Sequence, residues 1–289
     1  MKNEAYQFSL KDKKNPYACE QSIGVFDSGV GGLTVLKALI HALPDESFIY
    51  LADTARLPYG TKSADSIRRY TLQCTRLLID KGIKLLVVAC NTASSAALDY
   101  LQENFPDTPI IGVIEPGAMA AVETTKNHHI AVIGTEGTIR QGAYEKALKA
   151  LNPDIRVHSL PCQLLVALAE EGWHDGVLVE SIIDRYLTPL IHHIDGFKPD
   201  ALVLGCTHFP VLREAIQVVV GDDVVLVDSA QTTAKAVRHF LNEHHLQTEA
   251  GKVVSHHFLA TEGPERFAKL ASKFLGVSLT EDDIELVDL

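Results

Sequence analysis

The stretch LVLGCTHFP occupies residues 202–210, and an earlier stretch of similar pattern, LVVACNTAS, occupies residues 86–94. In each, a short apolar run is followed by Gly or Ala, then by Cys, then by small polar residues. A short, continuous apolar run is typical of a strand buried on both faces, as in a parallel sheet. The pattern therefore predicts two buried strands, each ending at a cysteine.

A second repeated pattern opens each half of the chain. IGVFDSG begins at Ile23 and IAVIGTEG begins at Ile130, and in both an apolar run leads into a glycine-containing loop. Further apolar runs alternate with amphipathic segments, which is typical of parallel sheets covered by helices. The predicted strands are 22–26, 48–51, 83–89, 110–114, 130–133, 201–204 and 224–227, and one helix is predicted over 139–151. The predicted fold class is α/β, with two similar doubly wound domains and mainly parallel sheets.

The repeated openings and endings predict how the chain divides into domains. Residues 1–21 form a polar N-terminal extension, the first α/β domain comprises 22–114 plus 227–289, and the second comprises 115–226. Ligands of open α/β sheets bind beyond the carboxyl ends of the strands. We therefore expect the active site in the cleft between the two domains.

Composition narrows the classes of function. The net charge of −11 gives no support to direct binding of nucleic acid or of a membrane surface, although local backbone donors can still hold a small anion. No apolar run approaches the roughly 18 residues of a membrane span, and residues 1–22 lack the apolar core of a signal peptide. The odd count of 5 cysteines fits free thiols in a reducing compartment, so we predict a cytoplasmic protein.

Four loops of unusual composition follow predicted strands. They are DSGVGG (27–32), ACNTAS (89–94), GTEGT (134–138) and GCTHFP (205–210). None contains Lys or Arg, and hydroxyls with backbone N–H groups at helix starts are a natural cradle for a carboxylate. Helix capping explains any one of these loops equally well, but the four together favour a binding site. The loops carry no dinucleotide fingerprint, because Thr34 stands where its third glycine would be.

The cysteines divide into two groups. Cys90 and Cys206 each end a predicted strand and enter a predicted helix, where the helix dipole stabilises a thiolate. Cys74 on an apolar helix face and Cys162 before a helical run are better explained as core thiols, and Cys19 as incidental. No Cys or His spacing is typical of a zinc site. The matched pair is therefore the candidate for function.

Racemisation is the reaction that uses two thiols from two similar halves. One thiol removes a proton from one face of a carbon and the other returns a proton to the opposite face, and cysteine pKa values can be tuned for both tasks. Disulfide exchange would place the cysteines close in sequence, and a cysteine hydrolase would leave one thiol unused. A pyridoxal enzyme would need a Schiff-base lysine, and none lies in the four loops. The pattern favours a racemase that needs no cofactor.

Six motifs, taken in order, carry a resemblance to a known family. They are VFDSGVGGLTVLKAL, DTARLPYG, ACNTAS, IEPGA, GTEGT and LGCTHFP, within about residues 23–229. They resemble the aspartate/glutamate racemase family, and within it the glutamate racemases. The resemblance implies a two-base enzyme without a cofactor, which racemises L-glutamate and supplies D-glutamate for peptidoglycan in the bacterial cytoplasm.

The same resemblance implies catalytic roles for residues of these motifs. Cys90 would take the α-proton from D-glutamate and Cys206 would take it from L-glutamate. Asp27 and His208 would assist the thiols or the substrate ammonium, although an N-cap and a polar residue of a first helical turn are the respective alternatives. Asp53 would be a further assisting carboxylate, with an Asx turn as the alternative.

Glu170 in LAEEG matches a catalytic Glu of the family more loosely. An exposed charge at a helix end is the better explanation for either Glu170 or its neighbour Glu171. The substrate contacts that the resemblance implies are Asp27, Ser28, Tyr59, Gly60, Asn91, Thr92, Thr135, Thr138, Thr207 and His208. These contacts agree with the cradle of neutral donors deduced from the loops.

Several alternatives stay open at the level of sequence. An aspartate racemase or a related amino-acid racemase would share the paired cysteines. A role of a different class is binding and inhibition of DNA gyrase, which is reported for some glutamate racemases. Some relatives with an N-terminal extension are activated by a muropeptide precursor, and the family implies a homodimer or a monomer–dimer equilibrium.

Overall fold

The structure is a computed structural model that describes residues 18–192, 196–249 and 251–289. The first 17 residues of the predicted extension lie outside the described part of the chain. The strands are β1 (Ile23–Asp27), β2 (Phe48–Ala52), β3 (Leu85–Val88), β4 (Ile110–Gly112), β5 (His129–Gly134), β6 (Arg156–Pro161), β7 (Ala201–Gly205), β8 (Val225–Asp228), β9 (His256–Ala260) and β10 (Ile284–Leu286).

Helices connect these strands and cover the sheets. They are α1 (Leu33–Ala42), α2 (Ala64–Asp80), α3 (Asn91–Asn104), α4 (Ile114–Thr124), α5 (Glu136–Gln141), α6 (Ala143–Leu151), α7 (Gln163–Glu171), α8 (Val177–His192), α9 (Arg213–Val220), α10 (Ser229–His244) and α11 (Pro264–Leu275). Short 3₁₀ helices at Thr54–Arg56, Tyr59–Thr61 and Phe209–Leu212 lie in the loops between them. In the described ranges, no helix combines the length and the hydropathy that a membrane crossing requires.

The strands form two sheets whose neighbouring strands are all parallel. The first sheet has the order β10-β9-β2-β1-β3-β4, and the second has the order β6-β5-β7-β8. In the first sheet, β1 lies between β2 and β3, and β4 lies beside β3. In the second sheet, β5 lies between β6 and β7, and β8 lies beside β7. The predicted α/β fold with two similar parallel sheets is thus confirmed, and Cys90 and Cys206 follow equivalent strands, β3 and β7.

One hydrophobic cluster joins the two sheets. It contains Leu36 of α1, Leu204 of β7 and Val237 of α10, each fully buried. Helix α1 packs directly on α10, which follows the last strand of the second sheet. Close packing of this kind fixes the relative positions of the elements that it joins. The carboxyl ends of β1 and β7 are therefore held near each other, as the bond from the Thr34 hydroxyl to the Thr207 carbonyl also shows.

The structure differs from the predicted elements at several points. Ile114 begins α4 instead of ending a strand. The helix predicted over 139–151 is two helices, because Gly142 between them adopts a left-handed conformation with φ of 64°. Strands β6, β9 and β10 had no clear sequence signal, since β9 begins with two histidines and β10 has only three residues. The predicted domain boundary at residue 227 falls inside β8.

Candidate functional site

A small cavity lies at the carboxyl ends of β1, β3, β5 and β7, and both matched cysteines line it. Its lining residues are Ser28, Gly29, Leu57, Pro58, Tyr59, Gly60, Cys90, Asn91, Thr92, Thr135, Gln163, Val166, Glu170, Cys206, Thr207 and His208. We call this space the thiol cavity. All four loops predicted to form a site contribute to it, and ligands of parallel sheets bind in this position.

Cys90 lies where β3 passes into α3 and is the N-cap residue of that helix. Its sulfur is buried and lies 3.5 Å from the hydroxyl oxygen of Ser28. Burial and the charge of Asp27 raise the pKa of Cys90 to about 12, although the Ala93 backbone N–H and Ser28 lower it. Cys90 is therefore a protonated thiol at neutral pH, which is the form that can donate a proton.

Cys206 lies in a different electrostatic environment. Its sulfur is 3.8 Å from Nδ1 of His208, whose Nε2 is 3.2 Å from Oε1 of Glu170. Burial lowers the pKa of His208, but hydrogen bonds with Cys206 and Glu170 and the charges of Cys206 and Asp27 raise it to about 10. The hydrogen bond from His208 lowers the pKa of Glu170. The imidazolium therefore places a positive charge beside Cys206, which is the partner that a thiolate requires.

Two of the sequence predictions for this region need correction. The chain after Cys206 forms a 3₁₀ helix at Phe209–Leu212 and not an α-helix, so the predicted helix dipole is replaced by the charge of His208. The explanation of Glu170 as an exposed helix-end charge is wrong, because its carboxylate lines the thiol cavity and pairs with His208. Glu171 is the exposed residue of the two.

Asp27 lies at the end of β1 and is fully buried, but it is not among the lining residues. One carboxylate oxygen accepts a hydrogen bond from the Gly29 backbone N–H, and the other, Oδ1, has no partner in the part of the chain that the structure describes. Asp27 does not cap α1, whose N-cap is Gly32, so the N-cap alternative is wrong. Burial raises the pKa of Asp27, whereas the charge of His208 lowers it.

Asp53 supports the loop that carries Tyr59. Its buried carboxylate accepts hydrogen bonds from the Tyr59 hydroxyl, from Nε of Arg56 at 2.7 Å and from the Thr261 hydroxyl at 3.1 Å. Asp53 does not line the thiol cavity, and its side chain makes no bond to the backbone of its own turn. The structure therefore places it behind Tyr59, which does line the cavity.

Three threonine hydroxyls, of Thr92, Thr135 and Thr138, lie within hydrogen-bonding distance of one another and link the two halves of the chain. Thr92 at the start of α3 lies 2.8 Å from Thr135 and 3.2 Å from Thr138, and the last two are 3.0 Å apart. Thr135 caps α5 by accepting from the Thr138 backbone N–H. Thr92 and Thr135 line the cavity, whereas Thr138 lies in the next layer. Among the predicted site residues, Asp27, Asp53 and Thr138 are thus outside the lining.

Sequence reasoning missed Gln163 and Val166, which α7 brings to the cavity. Their segment matched no motif, and only its position after β6 would have indicated it. Among the described residues, Gln163 Oε1 is buried without a partner, and so is Asn91 Nδ2. Buried polar atoms normally have partners, so these two are candidates for ligand contacts. An acceptor and a donor are the groups that an amino-acid ammonium and carboxylate need.

The described lining contains no Lys or Arg. A carboxylate bound here would therefore be held by amide, hydroxyl and backbone donors, as the composition of the loops predicted. The two thiols differ in environment, one protonated and one beside a cation. Such an arrangement can accept a proton at one sulfur and donate a proton from the other.

A profile of the family described as Asp/Glu/Hydantoin racemase matches residues 23–237. A curated glutamate racemase of Geobacter metallireducens is 47% identical over 259 residues, which cover 90% of this chain and 94% of the relative.

Solved structures show the same likeness in three dimensions. Glutamate racemase RacE1 of Bacillus anthracis has a TM-score of 0.86 at 38% identity, over 93% of this chain and 98% of that one. The Francisella tularensis glutamate racemase, solved with D-glutamate, has a TM-score of 0.85 at 36% identity, with the same coverage. The Escherichia coli glutamate racemase, solved with L-glutamate and the activator UDP-MurNAc-Ala, has a TM-score of 0.71 at 29% identity, over 88% and 95% of the two chains. With its paired strand-end cysteines and this extent of similarity, the chain belongs to the Asp/Glu/Hydantoin racemase family.

Proposed function

We propose that the chain interconverts L-glutamate and D-glutamate by a two-thiol mechanism that uses no cofactor. The observation that carries the proposal is the pair of cysteines, which come from equivalent strands of the two sheets and line one cavity. The substrate assignment is supported by relatives of 36–47% identity that are named glutamate racemases, one of them solved with D-glutamate.

The chemical step follows from the different environments of the two sulfurs. With L-glutamate, the Cys206 thiolate beside His208 takes the α-proton, the C–H bond breaks, and its electron pair stays on the α-carbon. The Cys90 thiol then gives its proton to the opposite face of the flattened carbanion, and its sulfur keeps the electron pair of the S–H bond. With D-glutamate the same steps run in reverse, and each turnover leaves the thiols ready for the opposite enantiomer.

Substrate recognition is assigned to the neutral groups of the thiol cavity. The Asn91 Nδ2 donor and the hydroxyls of Thr92, Thr135 and Thr207 suit carboxylate oxygens, and Gln163 Oε1 suits the ammonium group. Donors fixed in a buried site stabilise charge that develops on the α-carboxylate as the proton leaves.

A direct test uses the purified protein with no added cofactor. L-glutamate, D-glutamate, L-aspartate and D-aspartate are supplied separately, and the enantiomers are measured by chiral chromatography. We expect racemisation of both glutamate enantiomers and slow or no turnover of aspartate. Turnover of aspartate with none of glutamate would instead support the aspartate racemase alternative.

The cellular role and its regulation are part of the same proposal. D-glutamate made here would supply peptidoglycan synthesis, which is the role the family implies. UDP-MurNAc-Ala is the candidate activator because the Escherichia coli relative was solved with it. An assay with and without this nucleotide tests the regulation, and a rate increase is the expected result.

A further inference from the structure

Tyr144 is a buried residue of α6 that makes a hydrogen bond across the two halves of the molecule. Its hydroxyl donates to Oδ1 of Asn91 at a distance of 2.7 Å. Asn91 is the first residue of α3 and follows Cys90 directly. Tyr144 itself does not line the thiol cavity. It therefore touches the residue next to one reacting thiol from outside the site.

The ring of Tyr144 also contacts the segment that carries the other thiol. A Cβ at Gly205 would lie 3.0 Å from Cε2 of Tyr144, and one at Gly117 would lie 3.2 Å from its Cε1. Gly205 ends β7 and immediately precedes Cys206. The ring thus packs against a glycine on each of its edges. This packing contributes to the need for glycine in IEPGA and in LGCTHFP, and at Gly205 the Ile133 carbonyl oxygen would lie closer still, 2.7 Å from such a Cβ.

The bond from Tyr144 occupies the Oδ1 end of the Asn91 amide. Burial raises the pKa of Tyr144 far above its ordinary value, so the hydroxyl keeps its proton and can donate it. An amide that accepts this bond through Oδ1 must direct Nδ2 elsewhere. Asn91 lines the cavity, and its Nδ2 is buried with no partner in the described structure. The free donor is therefore available to a ligand.

We propose that Tyr144 is a positioning residue, which fixes the Asn91 amide so that Nδ2 donates to a carboxylate oxygen of the substrate. The proposal rests on the proposed function, because it takes glutamate as the ligand of the thiol cavity. Without the Tyr144 hydroxyl, the amide is free to rotate, and substrate binding is weakened while both thiols and His208 are unchanged.

The kinetic test compares Tyr144→Phe with Thr71→Val. Both variants lose a buried hydroxyl, but within the described residues Thr71 bonds only to the Ile67 carbonyl of its own helix. We expect Tyr144→Phe to raise the KM for both enantiomers by about tenfold with kcat changed by less than about threefold, and Thr71→Val to change neither. A KM equal to that of the parent in Tyr144→Phe would overturn the proposal.

A double-mutant cycle separates positioning from general support of the fold. In an Asn91→Ala background, Tyr144→Phe is expected to cause no further rise in KM, because the amide through which it acts is gone. A second rise of the same size would mean that Tyr144 acts independently of Asn91, which contradicts the proposal.

A third readout does not depend on activity. The side-chain amide signal of Asn91 is identified by ¹⁵N NMR as the one lost in Asn91→Ala. We expect this signal to shift or broaden in Tyr144→Phe and to stay in place in Thr71→Val. An unchanged signal in Tyr144→Phe overturns the proposal, whereas a parent protein that does not racemise glutamate overturns the proposed function instead.

Discussion

Oε1 of Glu170 lies 3.2 Å from Nε2 of His208, and the opposite ring nitrogen of His208 faces the Cys206 sulfur. The three side chains form a chain of carboxylate, imidazole and thiol at one side of the cavity. Arg266 of α11 lies 3.4 Å from the second carboxylate oxygen of Glu170. The contact between Glu170 and His208 joins α7 to the loop that carries His208. It keeps the imidazole charged, since Glu170 is one of the groups that raise the pKa of His208.

Replacing Glu170 by Gln is predicted to shift the pH dependence of racemisation. The hydrogen bond with the Glu170 carboxylate raises the pKa of His208, and a neutral amide is a weaker acceptor, so the substitution lowers that pKa from about 10. His208 then loses its proton at a lower pH, and the alkaline limb of the kcat/KM profile for L-glutamate moves downward by about one pH unit or more. The measurement is kcat/KM between pH 6 and 10.

Glu171→Gln is the matched control for this prediction. Glu171 is adjacent, has the same charge and is exposed. Its replacement is expected to leave the alkaline limb in place. If Glu170→Gln and Glu171→Gln give the same profile, Glu170 does not act through His208.

Gln163→Leu is predicted to weaken substrate binding and not to destabilise the protein. The buried Oε1 of Gln163 has no partner among residues 18–192, 196–249 and 251–289, so the substitution removes a polar group that is unpaired in this structure. Loss of an acceptor for the substrate ammonium should raise KM by about tenfold. The measurements are KM for both enantiomers and the free energy of unfolding in urea.

Gln102→Leu provides the comparison for Gln163→Leu. Gln102 of α3 donates to the Ile110 carbonyl of β4 and does not line the cavity. Gln102→Leu should therefore leave the KM for both enantiomers unchanged. A normal KM in Gln163→Leu would remove Gln163 from the substrate-binding groups.

Glu46→Gln is predicted to lower stability without changing the chemistry. Glu46 and Lys84 form an ion pair of 2.6 Å, with side chains 3% and 0% exposed. Breaking a buried pair leaves a charge without its partner and costs about 3–5 kcal/mol of unfolding free energy. Urea denaturation at pH 7 measures the loss, and kcat of the folded protein should match that of the parent.

Glu145→Gln is the control because Glu145 pairs with Lys149 on the exposed surface of α6. An exposed pair of this spacing contributes only about 0.3–0.5 kcal/mol. Equal losses in the two variants would contradict the assignment of Glu46–Lys84 as a buried structural pair.

The sequence predicts those features that depend on local patterns. The position of Cys90 and Cys206 at the ends of two strands is predictable because an apolar strand, a cysteine and small polar residues are contiguous in the chain. The pairing of Glu170 with His208 joins residues far apart in sequence, so no spacing could indicate it. Gln163 was missed for the same reason, since α7 reaches the cavity only through the packing of the second sheet.

Asp53 and Gly142 are two further positions where the sequence pattern does not predict the structure. Asp53 lies in a motif, but its role as a support for Tyr59 depends on the fold of the loop. The apolar periodicity continues through Gly142 even though its left-handed backbone divides the helix there. Periodicity reports which face is buried, and it does not report the backbone conformation that interrupts a helix.

The most direct test of the two-thiol mechanism follows the α-proton in heavy water with each enantiomer. Parent protein, Cys90→Ser, Cys206→Ser and the control Cys162→Ser are compared, since Cys162 is a third buried thiol outside the cavity lining. Racemisation is measured by chiral chromatography, and deuterium at the α-carbon is measured by mass spectrometry.

In the parent and in Cys162→Ser, we expect the product enantiomer to carry solvent deuterium at the α-carbon. Cys90→Ser and Cys206→Ser should each lose racemisation by about 10²–10⁴-fold. The exchange that remains should favour L-glutamate in Cys90→Ser and D-glutamate in Cys206→Ser, because each variant keeps the thiol that deprotonates that enantiomer. Racemisation at the parent rate by either variant would contradict the two-thiol mechanism.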